Sequence, residues 1–106
     1  MRPEISIIRD TWVRAVQPKK IILFGSQARD EADTESDLDF LVVWENPSLK
    51  SNRQKAIYLR RLLPREIHVS MDLIVMTPEQ YQDATSEPRT FTSLISRGGK
   101  VLYYNH

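Results

Sequence analysis

The chain has 106 residues, 41% of them hydrophobic, with 15 Lys and Arg against 14 Asp and Glu and no cysteine. That is the size of one compact domain, expected to span residues 1–106, and it excludes disulfides, cysteine-bearing zinc sites and thiol nucleophiles. A net charge of +1 speaks against a dominant nucleic-acid surface. With no apolar run near the ~20 residues of a membrane span and no leader-like segment, a cytoplasmic protein without membrane contact is expected.

In chain order, Pro3 and Glu4 suit a first helical turn, and Ile5, Ile8, Trp12 and Val16 recur at helical steps up to Gln17-Pro18. The apolar run Ile21–Phe24 reads as a buried strand that stops at Gly25, where Ser26 is placed to cap a further helical turn. A second strand is expected from Leu38 to Trp44, then a helix from about Leu49 to Leu63 closed by Pro64. A third strand is expected from about Ile67 to Met76. Thr77-Pro78-Glu79-Gln80 is a helix start, with Thr as cap, Pro at the first position and Gln three residues after the cap. A short helix over Phe91–Ser96 ends at Gly98-Gly99, and Val101–Tyr104 makes a last strand. The order α-β-α-β-α-β-α-α-β predicts an α/β (α+β) fold, a mixed sheet flanked by helices.

Charge is unevenly spread. Asp30 to Glu45 holds seven acids and no base, whereas Lys50 to Arg65 holds six bases and no acid. The basic stretch reads equally as a solvated face or as a phosphate or partner contact. Within the acidic stretch, Ser36-Asp37-Leu38-Asp39 has internal order. Side chains alternate along a strand, so Asp37 and Asp39 share a face, roughly 7 Å apart at the backbone. Two like charges there gain nothing as packing, and they make sense around a hard cation such as Mg²⁺. Leu38 between them faces the core and sets their aim.

Gly25 permits a sharp turn, and the exposed N–H groups at the helix start after Ser26 suit a phosphate. Asp72 lies among β-formers where Asp is depleted, so it faces either solvent or a metal. If the third strand neighbours the second, Asp72 joins the pair as ligand to a second ion and as acceptor of the proton from an attacking hydroxyl. The blander readings are a solvated edge pair for Asp37 and Asp39 and a surface acid for Asp72. Arg29 pairs either with a ligand or with the acidic loop. His68 reads as structural or exposed, and Gly98-Gly99-Lys100 lacks P-loop spacing.

Gly25-Ser26, Ala28-Arg29, Ser36-Asp37 and Asp39 resemble the GSxxR…SDxD signature of the DNA polymerase β-type nucleotidyltransferases. The small size is similar to their minimal nucleotidyltransferase (MNT) family. The resemblance runs from about Ile22 to Val43 and is looser through Asp72 and the C-terminal stretch. Asp30 departs from it, standing where members usually carry glycine.

The resemblance implies that Asp37, Asp39 and Asp72 are catalytic and ligate Mg²⁺, two ions in all. It implies that Gly25, Ser26, Arg29 and Ser36 bind a nucleoside triphosphate, with ATP as the expected substrate. It further implies a helical HEPN-family toxin as partner in a hetero-oligomer, silenced by AMP transfer to a tyrosine hydroxyl, the chain being its antitoxin. A chain this short has no extra domain for an acceptor, which favours a protein acceptor over a nucleic acid or small molecule. Two alternatives stand beside this reading: an antitoxin that masks its toxin by contact without catalysis, and a small-molecule nucleotidyltransferase.

Overall fold

A computed structural model describes residues 2–25, 27–28 and 37–105. Four strands form one mixed sheet: β1 (Lys20–Phe24), β2 (Leu38–Val43), β3 (Met71–Met76) and β4 (Lys100–Tyr104), in the order β3-β2-β1-β4. β1 runs antiparallel to both β2 and β4, and β2 runs parallel to β3. Among the described residues four helices flank it: α1 (Pro3–Val16), α2 (Asn52–Arg61), α3 (Pro78–Thr85) and α4 (Phe91–Gly98). This is the expected class, a mixed sheet flanked by helices.

The helix signals act as local chemistry dictates. Pro3 opens α1, and Gln17 closes it in the left-handed region (φ 49°), its N–H bonded to the Val13 carbonyl. Thr77 and Gln80 form a reciprocal capping box at the start of α3, as their spacing predicts. α2 is shorter than the expected Leu49–Leu63, because Ser51 and Gln54 make the same box and set the helix start at Asn52. β3 is likewise shorter than Ile67–Met76. It lies at a sheet edge with β2 as its sole partner among the described residues, so its ladder begins where β2 begins, at Leu38 opposite Met71. The helical turn expected from Ser26 lies mostly outside the described residues. Within them, Gln27 and Ala28 form a turn, the Ala28 N–H bonding the Gly25 carbonyl at 3.2 Å.

The sheet has two unlike faces. On one, Ile21, Leu23, Leu38, Phe40, Val42 and Val75 pack against Ile5, Ile8 and Trp12 of α1 and Leu59 of α2. Trp12 meets Phe40 edge-on at 5.2 Å, and its indole N–H donates to the Leu59 carbonyl at 2.9 Å, tying α1 to α2. On the other, a smaller cluster of Ile22, Leu41 and Ile95 is flanked by Phe24, Ile74, Met76 and Tyr81. α4 can lie close to β1 because Gly99 lacks a side chain: a Cβ there would stand 2.6 Å from Ile22 Cγ2 and 2.7 Å from the Ile95 carbonyl. Among the described residues no helix is long and apolar enough to cross a membrane.

Candidate active site

Strand directions gather the chemistry at one end of the sheet. Antiparallel pairing sets Phe24, the last residue of β1, opposite Asp39, and parallel pairing sets Asp39 opposite Asp72. The end of β1 and the starts of β2 and β3 therefore meet. Since paired residues of neighbouring strands point to the same face, Asp39 and Asp72 share the α3/α4 side of the sheet. Gly25 follows Phe24 with φ 74°, a conformation that glycine adopts without steric cost. A Cβ there would overlap Asp39 Oδ2 and stand 3.1 Å from its Cγ, so the absence of a side chain lets the turn and the carboxylate touch.

Electrostatics distinguishes Asp39 from its neighbours. It is half-buried, and its carboxyl is raised above the usual range, first by burial. The negative charge of Asp72, a hydrogen bond between the two carboxyl groups, and the charge of Asp37 add to that rise. Asp39 and Asp72 are thus register neighbours whose carboxyl groups act on each other. Asp37 lies just before β2 and is exposed, acting on Asp39 through space. Among the described residues no three Asp, Glu or His side chains gather closely enough to hold a metal ion.

The donor set nonetheless fits a divalent cation. Two carboxylates pressed together at an open sheet end provide hard oxygen ligands, and their mutual repulsion is what a Mg²⁺ ion relieves. Asp39 and Asp72 would hold such an ion, with Asp37 two residues away to join them.

Ser26, Arg29 and Ser36, expected at the nucleotide, lie outside the described residues, as does Asp30. His68 is exposed. Sequence reasoning missed a cleft of about 350 Å³ beside Gly25, walled by Phe24, Phe91, Leu94 and Ile95 and floored by Gly98 and Gly99. Helix α4 buries Thr92 and Ser93 and leaves Phe91 and Leu94 exposed, 61% and 55% respectively. The buried hydroxyls are satisfied: Ser93 donates to the Glu87 carbonyl at 2.7 Å and Thr92 to the Met76 sulfur at 3.7 Å. A signal is present in Phe91, Leu94 and Ile95, an apolar stripe at helical spacing of which the sheet buries only Ile95.

Residues 5–95 match the model of the nucleotidyltransferase domain, and the chain belongs to that family. Among solved structures, the fold is similar to a proposed nucleotidyltransferase from Sulfolobus solfataricus. The two are 18% identical, with a TM-score of 0.58 over 94% of this chain and 76% of that one. No curated protein matches the chain. Transfer of a nucleotidyl group is the general activity that family and fold support, and members generally use a nucleoside triphosphate with a divalent metal.

Proposed function

We propose that this chain, a single domain over residues 1–106, transfers AMP from ATP in a Mg²⁺-dependent reaction to a hydroxyl on a partner protein. The observation that carries the reading is the Asp39–Asp72 carboxyl pair, set against the side-chain-free turn at Gly25. Asp37, just before β2, and Asp39 within it would hold the metal–nucleotide complex, and Gly25, Ser26, Arg29 and Ser36 would hold its phosphates. Asp72, exposed on the neighbouring strand, takes the proton of the attacking hydroxyl. That oxygen bonds to the α-phosphorus while the bond to pyrophosphate breaks. The bound metal supplies charge neutralisation at the phosphates. In this reading the partner is a HEPN-family toxin, the acceptor is its tyrosine, and the chain is a cytoplasmic antitoxin.

Asp30, standing where members of the resembled family usually carry glycine, favours a second reading, a binding antitoxin that masks its toxin without chemistry. Incubation with α-³²P-ATP, Mg²⁺ and the protein that co-purifies with the chain separates the two. Label on the partner that vanishes with Asp37→Ala supports transfer. Neutralisation of the toxin that survives both Asp37→Ala and Asp39→Ala sinks it. Turnover with a soluble small-molecule acceptor and no partner would instead point to the small-molecule enzyme.

A further inference from the structure

β2 and β3 pair over their whole length but differ in cover. All of β2 except Asp39 is buried, whereas Leu73, Ile74 and Met76 of β3, on alternate faces, are only half-buried. The backbone accounts for this. The carbonyls of Ser70 and Met76 accept from the N–H groups of Leu38 (3.0 Å) and Trp44 (2.8 Å), so the even-numbered residues of β3 turn their polar groups to β2. By the two-residue period of a strand, Leu73 and Val75 turn their N–H and C=O to the outer edge. Met71 has the same parity, and its carbonyl accepts from Arg60 Nη2 at 3.0 Å. Among the described residues no strand pairs with this edge.

A cleft of about 660 Å³ follows the edge between α2 and β3, with Arg53, Ile57 and Arg60 on the helix side and Leu73 and Val75 on the strand side. An apolar edge with neither lysine nor proline from Leu73 to Met76 lacks the devices that keep other chains off. The α2 side of the cleft is basic. Of the six bases between Lys50 and Arg65, Lys55 is buried against Glu45 at 3.4 Å and the other five are exposed.

We propose that the outer edge of β3 docks an extended, acidic segment of a partner protein, which adds as a further strand and carries a hydroxyl-bearing residue to Asp72. The proposal rests on the function proposed above and names where its acceptor is held. A strand laid along Leu73 and Val75 passes Asp72 within one strand spacing, about 4.8 Å. Backbone pairing supplies affinity, the apolar cleft takes alternate side chains, and Arg53 and Arg60 select acids. A nucleic-acid strand lacks the repeating N–H donors that the Leu73 and Val75 carbonyls require. A second copy of this chain, paired symmetrically at the same edge, sets the two arginine groups against each other.

The test uses the full chain and a fluorescein-labelled peptide of sequence Asp-Glu-Val-Tyr-Val-Glu-Asp, with fluorescence anisotropy for binding and amide hydrogen exchange for location. The acidic peptide binds, and the same peptide with lysine at every acid binds at least about tenfold more weakly. Exchange at Leu73 and Val75 slows on peptide addition while the even-numbered amides, already paired, change little. Arg53→Glu weakens the peptide about tenfold and retains the fold, since an acid suits the first turn of α2.

Binding without protection at Leu73 and Val75, or no binding, overturns the docking site. So does displacement of the peptide by a 12-nucleotide single-stranded RNA, or a dimer that already protects both amides in the free chain. Mg²⁺–ATP binding, measured by calorimetry, is the separate control. Nucleotide binding with no peptide binding removes the docking site and keeps the transferase reading. Peptide docking on a chain that binds no nucleotide does the reverse.

Discussion

The two faces of the sheet use the same strands for opposite ends. Toward α1 and α2, the side chains are apolar and buried, and the one polar atom of Trp12 is spent on joining the two helices. Toward α3 and α4, the cluster is small, carboxyl groups stand where apolar side chains would pack, and the helix nearest the site buries hydroxyls while exposing Phe91 and Leu94. A domain of this size has little stability to spare. The closed face must therefore offset the repulsion and exposure that the open face retains, and substitutions should separate accordingly: stability lost on one side, activity on the other.

The largest effect is expected on the closed face. Trp12→Ala removes a fully buried ring, its edge-on contact with Phe40 and the bond to Leu59, and should cost about 3–5 kcal/mol. Urea unfolding measures it. A loss below about 1 kcal/mol would mean that α1 and α2 are not held by this face. Next comes the open face, where Asp72→Ala should lower nucleotidyl transfer about 10²–10³-fold while leaving the unfolding midpoint nearly unchanged. Unchanged transfer, measured with α-³²P-ATP on folded protein, would remove Asp72 from the chemistry and break the division of labour between the faces.

Gly99→Ala tests the seam between the helix layer and the sheet. The added methyl meets Ile22 Cγ2 and two backbone carbonyls, of Ile95 and Leu23, which yield little, so the expected loss is about 1–3 kcal/mol in thermal or urea unfolding. A neutral result would show that α4 shifts freely over β1, and with it the cleft beside Gly25.

Most of this division was legible in the chain. Alternation placed Leu38 inward and Asp39 outward, and Thr77-Pro78 with Gln80 specified a helix start through hydrogen bonds that span three residues. Such signals are local, and local chemistry decides them. The pairing of Asp39 with Asp72 was conditional on two strands 33 residues apart becoming neighbours (about as far as sequence reasoning reaches), and the parallel register supplies what the sequence left open. The ends of α2 and β3 were read too long, because a cap at Ser51 and the length of a partner strand outrank a run of apolar residues. The exposure of Phe91 and Leu94 on α4 is not anticipated by the sequence. Their placement depends on where the hydroxyls of Thr92 and Ser93 find acceptors, and those acceptors lie on Met76, Ala84 and Glu87, outside the helix itself.

The smallest expected effect sharpens the comparison most, because it asks whether the open face carries a stability cost. The Asp39 carboxyl is raised in the folded chain by burial and by its acidic neighbours, so the folded state favours the protonated form more than the unfolded chain does. The sign follows from that. Below the unfolded value, about 3.9, both states are protonated and the fold bears no penalty. As the pH rises from there through the folded value, the unfolded chain releases its proton more readily and the wild type loses stability. Asp39→Asn, which cannot ionise, escapes this loss. In metal-free protein its melting temperature should exceed that of the wild type by about 1–3 °C at pH 7, modest because the group is only half-buried, and the gap should close near pH 4. Added Mg²⁺ should narrow the gap at pH 7 as well, since a cation bound by the carboxyl pair stabilises the wild type and has one ligand fewer in the variant. A variant that melts lower than the wild type at pH 7 without metal would show that the Asp39 carboxylate is held by favourable contacts and not by constraint. The repulsion that the open face is argued to store would then be absent.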